Sequence, residues 1–382
     1  MKKIMALILC AAMLSFALYG CSGNADNAPS EDPPSENGAP DDDSVNGGPI
    51  PGIDYDAAFQ TFTPDTVMIN DGELKVTWAE LFFFLRSNLN ALISSVGMLP
   101  DLSLPLPDGR TYSETLMDYA VENALQYLSF EYGAMVTGVT LSEEEQEQMD
   151  ESFESMVETF GSEAAFLGVL KTQYGIFDFE VFKRFIYMDY LPVAIFYDLY
   201  GQDAEFLSDE EAAEFTADHG YLMVKHILLM RTEDDTDTPR IVLEDILNQL
   251  DNYDGDDFEG FFDELMFDNT EDSDGLSIFP DGYLFQFGDM EAPFYEAAAA
   301  LEIGEISGIV ESEHGYHIVL RIPINFDAVP ISLLSVGDFT SLRLLVAFDM
   351  FDATLSEWRE NLSPIFTAEF ESIDIAAIFS ES

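Results

Sequence analysis

Two short apolar runs decide the fold of this chain: Val224-Lys225-His226-Ile227-Leu228-Leu229 and Gly315-Tyr316-His317-Ile318-Val319-Leu320. Both runs are rich in residues that favour strands, and each carries one histidine inside the predicted strand. Because strand side chains alternate between the two faces of a sheet, both rings can face one shared site. All 4 histidines of the chain lie near the two ends of the segment 219–317, which contains both runs. A titratable ring is costly to bury, so the pair predicts a mutual hydrogen bond or a functional site.

The residues between these two runs predict a small α+β domain over 221–325. Strands at both ends with helices between them are typical of this class. We expect, in order, a strand at Leu222–Met230, a helix from Thr238-Pro239 to Leu250, a helix at Phe258–Met266, an acidic loop to Gly288, a helix at Ala292–Leu301, and strands near Ser307–Val310 and at Tyr316–Ile322.

The chain on either side of this domain is predicted to be mainly helical. Helical periodicity runs from Val67 to His219, which indicates a helical domain over 55–220. A C-terminal segment over 326–382, with a helix at Leu342–Asn361, is expected to pack back onto that domain. Capping boxes mark three helix starts: Thr77-x-x-Glu80, Ser142-x-x-Glu145 and Ser208-x-x-Glu211. The wide apolar faces suit an interhelical core, and they also suit a surface that binds varied polypeptides.

The first fifty residues predict export and a lipid anchor. Lys2-Lys3, an apolar run and Leu18-x-Gly20-Cys21 have the order of a secretory signal, which we assign to 1–20. The run is marginal for a transmembrane helix, which needs roughly 20 apolar residues. Leu18-x-Gly20-Cys21 resembles the lipobox of bacterial lipoproteins, so we expect lipid on Cys21 at the extracytoplasmic face of a bacterial membrane. Residues 21–54 hold prolines and acidic residues but no aromatic residue, as in a disordered tether.

The charge of the chain excludes one class of partner. The sequence has 74 acidic and 14 basic residues, a net charge of −60. Such a surface repels the phosphates of nucleic acid, so we expect no nucleic-acid binding. Two explanations of the charge stay open: attraction of cationic polypeptides, and solubility alone.

The histidine runs and the residues between them resemble the parvulin family of peptidyl-prolyl isomerases. The resemblance rests on these phrases, in this order: Val224-Lys225-His226-Ile227-Leu228-Leu229, Met290-x-x-x-Phe294, Gly304-Glu305-Ile306-Ser307-Gly308-x-Val310 and Gly315-Tyr316-His317-Ile318. The lipobox and the flanking helices further resemble the PrsA/SurA-type foldases. In those proteins, helical segments from both ends of the chain form a chaperone domain around a parvulin insert. The resemblance therefore implies an α+β fold in which a small parvulin-like domain is inserted into a mainly helical chaperone domain.

The resemblance also implies a set of site residues. The paired histidines of the family fall on His226 and His317, its Cys-or-Asp position on Asp268, and its hydroxyl position on Ser312. The positions of its proline pocket fall on Leu276, Met290 and Phe294. Rotation about an X–Pro bond faces a barrier of ~18–20 kcal/mol and breaks no bond. A site of this kind needs apolar walls for the proline ring and a polar floor, and we expect it to use no cofactor.

Two other readings of the sequence are weaker. Thr270-x-Asp272-x-Asp274-Gly275 is close to a calcium loop, but its first position is Thr and its twelfth is not Glu, so we predict no metal site. The loop Arg231–Asp237 is acidic, whereas recognition of a phosphate needs clustered Arg or Lys. We therefore expect the site not to select phosphorylated residues.

The sequence as a whole predicts a membrane-anchored foldase. Its expected activity is the cis-trans isomerisation of X–Pro bonds in exported or unfolded polypeptides, which would be its partners. The alternative is a holdase chaperone that retains the parvulin domain as a scaffold without turnover. The clients and the oligomeric state do not follow from the sequence.

Overall fold

The chain forms two compact units in its computed structural model, which describes residues 53–231, 237–334 and 340–380. One unit comprises the described residues up to Asp198 together with those from Asp352 onward, and the other is Leu199–Phe351. The predicted signal, Cys21 and nearly all of the tether lie outside the described residues, as do residues 232–236 of the acidic loop. Among the described residues, none of the helices has the length and apolar character needed to cross a bilayer.

The first unit is mainly helical, as the sequence predicts. Its elements are α1 (Tyr55–Phe59), β1 (Val67–Asp71), β2 (Leu74–Thr77), α2 (Trp78–Val96), α3 (Tyr112–Thr137), α4 (Glu143–Phe160), α5 (Glu163–Val169), a π-helical turn (Leu170–Tyr174) and most of α6 (Phe179–Tyr200). The predicted capping boxes at Thr77 and Ser142 are confirmed, since each N-cap backbone N–H donates to the glutamate three residues on.

The prediction of helix from Val67 onward is wrong for the first eleven residues of that stretch. They form an antiparallel hairpin, β1 and β2, whose turn places Gly72 at φ 64°. A positive φ is easy for glycine and strained for other residues, so Asp71-Gly72 between two apolar stretches is a hairpin signal. The helical periodicity of the longer stretch hid this local signal.

The C-terminal segment returns to the first unit and completes its core. α13 (Leu342–Asn361) has the predicted bounds, and β7 (Ile365–Phe366), α14 (Ala368–Glu371) and α15 (Ile375–Ile378) follow it. β7 pairs with β1, and the Phe379 ring lies 5.8 Å from that of Phe82 in the buried core. The ring of Trp358 lies against Gly133, where an added Cβ would come within 2.0 Å of it. A side chain at position 133 would therefore displace the last part of α13.

The second unit has the predicted α+β class and lies, in sequence, between the two segments of the helical unit. Its elements are α7 (Asp209–His219), β3 (Leu222–Met230), α8 (Asp237–Asp251), α9 (Phe258–Asn269), α10 (Ser273–Ile278), β4 (Tyr283–Phe285), α11 (Ala292–Ala300), β5 (Val310–Glu311), β6 (Gly315–Ile322) and α12 (Ile331–Leu334). The four strands form an antiparallel sheet in the order β4-β3-β6-β5. β3 has the predicted bounds. The two histidine runs lie in β3 and β6, which are the central pair of strands in this sheet.

One expectation for this unit is wrong: the acidic stretch before Gly288 is not a plain loop. It contains the short helix α10 and the edge strand β4. β4 is only three residues long and all three are buried, so it shows no periodicity by which a sequence pattern could be recognised. These two elements matter because they carry two residues of the site described below.

The two faces of β3 are used differently. On one face, Lys225 is buried, and its ammonium lies 2.8 Å from a carboxylate oxygen of Glu259 and 2.8 Å from one of Asp263, both on α9. Burial lowers the pKa of Lys225, but the hydrogen bonds to Asp263 and Glu259 outweigh it, so the net pKa lies above its usual value. The opposite face carries His226. The ion pairs thus hold α9 on one side of the sheet and leave the other side to the histidines.

Candidate active site

The sheet brings the two histidine side chains together. In the antiparallel ladder, His226 is opposite Val319 and His317 is opposite Leu228. The two histidines are therefore diagonal neighbours on one face of the sheet. Their rings are stacked, with centroids 5.3 Å apart and an angle of 25° between the planes. Both are buried, at 5% and 4% exposure, so each ring nitrogen needs a partner within the protein.

A continuous hydrogen-bond chain runs through both rings. His226 Nδ1 lies 3.1 Å from His317 Nδ1, and His317 Nε2 lies 2.8 Å from Ser312 Oγ. At the other end, His226 Nε2 lies 3.2 Å from Asp272 Oδ2. The hydroxyl of Ser312 is held in the turn before β6, where the Ser312 N–H donates to the Gly315 carbonyl at 2.9 Å. All four ring nitrogens are thus paired.

The electrostatics of this hydrogen-bond chain favour one arrangement of its protons. Burial, with the neighbouring His226 and His314, lowers the pKa of His317 to about 3, so this ring is neutral near pH 7. The pKa of Asp272 lies well below its usual range because His226 and Tyr283 donate to it, although burial opposes the shift. An ionised Asp272 accepts from His226 Nε2–H. His226 Nδ1 then accepts from His317 Nδ1–H, and His317 Nε2 accepts from the Ser312 hydroxyl.

The carboxylate in this hydrogen-bond chain is Asp272. The prediction that Asp268 lies beside the histidines is wrong. α9 continues to Asn269, beyond the expected end at Met266, and buries Phe262 and Met266. Position 268 follows Met266 by about 200° around the helix, so Asp268 faces outward and is exposed. The chain then turns, and Asp272 becomes the N-cap of α10, with its Oδ1 accepting from the Gly275 N–H at 3.1 Å. The family position was carried over by spacing alone, and the longer helix shifts the carboxylate by four residues.

Tyr283 is a further site residue, which the sequence reasoning missed. Its hydroxyl donates to Asp272 Oδ2 at 2.6 Å, and its ring lies 4.8 Å from that of His226 at an angle of 76°. Burial and the Asp272 charge raise the pKa of Tyr283, so the phenol remains a donor. Nothing in the sequence points to this contact, because Tyr283 begins the short strand β4 inside the stretch that was expected to be a loop.

Apolar side chains cover the histidine pair. The Phe294 ring packs edge-on against both imidazoles, at 5.3 Å from His226 and 5.2 Å from His317. Met290 packs in the same apolar cluster as Phe294, so the structure places these two residues together. Leu276 is half-buried on α10 but does not belong to this cluster. Phe279 does pack against this cluster, with its ring 4.8 Å from that of Tyr283. The role of Leu276 in a proline pocket stays a prediction.

The described side chains near the site form neither a metal site nor a phosphate site. No group of three or more His, Cys, Asp or Glu with a geometry suited to a metal ion is found in the parts of the chain that the structure describes. Arg231, at the end of β3, forms an ion pair with Glu311. His314, whose side chain is 75% exposed, lies 3.3 Å from Glu291 Oε1. Arg231 and His314 therefore each already face a carboxylate.

Comparison with known families agrees with this geometry. The family model described as the PPIC-type PPIASE domain, Rotamase, matches residues 226–322, the segment that contains both histidines, Asp272 and Ser312. The chain therefore contains a parvulin-type peptidyl-prolyl isomerase domain, as the sequence predicts.

Individual relatives are foldases. Foldase protein PrsA of Halalkalibacterium halodurans is 32% identical over 180 residues, which cover 46% of this chain and 50% of that protein. Foldase protein PrsA of Oceanobacillus iheyensis is 28% identical over 173 residues, covering 45% and 51%. The chain thus spans about half the length of these relatives. The crystal structure of PrsA from Bacillus subtilis is 18% identical, covers 72% of this chain and 94% of that one, and has a TM-score of 0.24, too low to establish a shared overall arrangement.

Proposed function

We propose that this protein is an extracytoplasmic, membrane-anchored foldase that accelerates the cis-trans isomerisation of X–Pro bonds in exported polypeptides. The observation that carries the proposal is the unbroken hydrogen-bond chain from Ser312 through His317 and His226 to Asp272, in which Ser312 and both histidines are buried and Phe294 packs against both rings. A polar chain under an apolar cover is what the reaction needs, because a proline ring must be held away from water while its amide is twisted.

The chemistry of this site is non-covalent. A pKa of about 3 makes His317 too weak a base to activate the Ser312 hydroxyl as a nucleophile. Asp272 accepts hydrogen bonds from His226, Tyr283 and Gly275, so both of its oxygens are held in place by donors within the protein. The role left to these groups is a fixed field at the amide. Oriented dipoles that need no reorganisation stabilise the charge distribution of the twisted amide over that of the planar forms.

The rival function is a holdase that binds unfolded chains without turnover. Two assays on the full chain separate the candidates: a refolding reaction limited by proline isomerisation, and suppression of the aggregation of an unfolded client. We expect His317→Ala and His226→Ala to lose most of the acceleration and to retain the suppression of aggregation. Wild-type protein that suppresses aggregation but never accelerates refolding would establish the holdase instead.

The membrane anchor is proposed from the sequence of residues 2–21, which lie outside the described residues. Cys21 directly follows the apolar run, at the place where the lipobox of a lipoprotein has its acylated cysteine. Labelling of cells with a radioactive fatty acid tests this. We expect label on the wild-type chain and none on Cys21→Ser, and equal labelling of the two would contradict the anchor.

We propose that an acidic or phosphorylated residue before proline is disfavoured. Arg231 is paired with Glu311, and Glu271 Oε2 accepts from the Met230 N–H at 2.6 Å, so carboxylates lie where β3 ends. Like charges repel, and a phosphate needs unpaired Arg or Lys. In a series of X-Pro peptides, we expect slower turnover with Glu than with Ala. Faster turnover with Glu would contradict the proposal.

A further inference from the structure

We infer that Tyr283 and Gly275 are positioning residues of the isomerase site: together they hold Asp272 so that the hydrogen-bond chain through the two histidines runs in one direction only. The inference rests on the proposed isomerase function, because it concerns how the same site is prepared for the reaction. Neither residue is needed for the histidines to lie side by side, since the β3–β6 ladder alone achieves that.

Three donors fix the Asp272 carboxylate. Oδ2 receives His226 Nε2–H at 3.2 Å and the Tyr283 hydroxyl at 2.6 Å, while Oδ1 receives the Gly275 N–H at 3.1 Å. Two of these donors, from Tyr283 and Gly275, come from outside the histidine chain. They favour the charged carboxylate whatever the histidines do, because hydrogen bonds from neutral donors stabilise an anion more than the neutral acid.

Position 275 needs a glycine because the Tyr283 hydroxyl and the Asp272 carboxylate both lie very close to it. A Cβ at position 275 would lie 1.8 Å from the Tyr283 hydroxyl and 2.4 Å from Asp272 Oδ2. The backbone of Gly275 is helical, within α10, so the requirement is space and not an unusual φ. Any side chain at this position would push the phenol and the carboxylate apart. α10 is thus built to bring its own N-cap residue and Tyr283 into contact.

The two possible directions of the hydrogen-bond chain differ in the number of protons that they hold. In the direction that the electrostatics favour, Asp272 is ionised, His226 carries its proton on Nε2, and His317 carries its proton on Nδ1. The reversed chain has protons on His226 Nδ1 and His317 Nε2, and the Ser312 oxygen becomes the acceptor. His226 Nε2 is then a bare lone pair that faces Asp272, so Asp272 must be protonated. Reversal therefore takes up one proton, and the donors on Asp272 oppose it.

Removing the Tyr283 hydroxyl tests this inference while leaving the ring in place. Tyr283→Phe keeps the packing against His226 and Phe279. Loss of one hydrogen bond to a charged group predicts a decrease in kcat/KM of roughly tenfold and an acid limb of the pH–rate profile that moves up by about one pH unit. The matched control is Tyr295→Phe, in the same unit, whose hydroxyl donates to the Gly220 carbonyl and not to the site. We expect this control to match the wild type in both measurements.

The 15N spectra of the histidine side chains report the direction of the hydrogen-bond chain itself. The full chain with 15N-labelled histidine has 4 imidazoles, of which His219 and His314 are exposed and serve as internal references. At pH 7 we expect the Nδ1–H tautomer for His317 in the wild type. On acidification, Tyr283→Phe is expected to show the Nε2–H tautomer at a higher pH than the wild type does. An identical tautomer at every pH and an unchanged acid limb would overturn the inference.

The double variant separates positioning from damage to the fold. Gly275→Ala is expected to cost more kcat/KM in the wild type than in the Tyr283→Phe background, because one of its two clashes is with the missing hydroxyl. Equal costs in both backgrounds would contradict the shared role. If the wild-type chain shows no isomerase activity at all, the proposed function fails. The tautomer titration still decides the positioning of Asp272 in that case, because it does not depend on turnover.

Discussion

Two ionisable sites differ in their surroundings: the histidine pair of the second unit, Leu199–Phe351, called the isomerase unit after the domain model that matches within it, and Asp189 of the helical unit. In the isomerase unit, each ring nitrogen of His226 and His317 has a partner. In the helical unit, Asp189 on α6 has a buried oxygen, Oδ2, without a hydrogen-bond partner among the described residues. Burial raises the pKa of this carboxyl to about 6 and, together with the Asp189 charge, raises that of Tyr127. Asp189 is therefore neutral only on the acidic side of pH 6.

This contrast implies opposite responses to pH. For Asp189, the folded pKa lies above the unfolded value, so its contribution to stability is present below pH 3.8 and is lost as the pH rises through 6. For His317, the folded pKa lies below the unfolded value of 6.5, so its contribution is present above pH 6.5 and is lost as the pH falls toward 3. Burial favours the neutral form of both groups, and the two responses differ in sign because a carboxyl is neutral when protonated whereas an imidazole is neutral when deprotonated.

The largest expected effect is the acid sensitivity of the isomerase unit. Between pH 6.5 and 4.5, exclusion of a proton from His317 costs up to about 1.4 kcal/mol of unfolding free energy per pH unit, or roughly 3 kcal/mol in all. Hydrogen exchange of the β3 and β6 amides in the full chain measures it. His317→Gln should remove most of this slope, and an unchanged slope in that variant would break the comparison.

A smaller effect is expected when one partner is removed. Asp272→Ala leaves His226 Nε2–H buried without its acceptor, which costs about 1–3 kcal/mol of stability in the isomerase unit at pH 7. Exchange of the β3 amides measures this as well. Asp268→Ala is the matched control, since it removes an exposed carboxylate from a position four residues away. If the two variants were equally stable, the partnership of Asp272 with His226 would not contribute to the fold.

The smallest effect is a gain of stability in the helical unit. Asp189→Asn replaces a carboxyl that ionises above pH 6 with a neutral amide, so we expect about 1–2 kcal/mol more stability at pH 8 and none at pH 4.5. Denaturation followed by tryptophan fluorescence measures this unit alone, because both tryptophans of the chain, Trp78 and Trp358, belong to it. Asp198→Asn, at an exposed position of the same helix, is the control. A loss of stability at pH 8 would show that Asp189 has an unrecognised partner.

The parts of the site that the sequence predicted are those carried by long elements. β3 and α13 have the predicted bounds, and the expectation that both histidine rings can face one site followed from the alternation of strand side chains between the two faces of a sheet. Ser312 was predicted from the parvulin resemblance, which implies a hydroxyl residue before the last strand of the domain, β6. A pattern that repeats along eight or nine residues leaves little freedom in where the side chains point.

The parts that failed depend on where short elements begin and end. Asp268 and Asp272 are both carboxylates in one acidic stretch, and only the extra turn of α9 decides which of them reaches His226. Phe279 packs in the apolar cluster and Tyr283 bonds to Asp272 because α10 and β4 form in a stretch without periodicity. Helix ends and three-residue strands are set by tertiary contacts, such as the hydrogen bond from Tyr283 to Asp272, which no local pattern contains.

The central claim, that an isomerase site is organised by Asp272 and the two histidines, is tested most directly by kcat/KM for an X-Pro peptide in two aspartate variants. We expect Asp272→Asn to lower kcat/KM by about 100-fold, which corresponds to roughly 2.7 kcal/mol, since the charged acceptor that orients His226 is lost. Asp268→Asn should stay within about twofold of the wild type, as expected for an exposed side chain. The opposite ranking, with Asp268→Asn inactive and Asp272→Asn unchanged, would contradict the account.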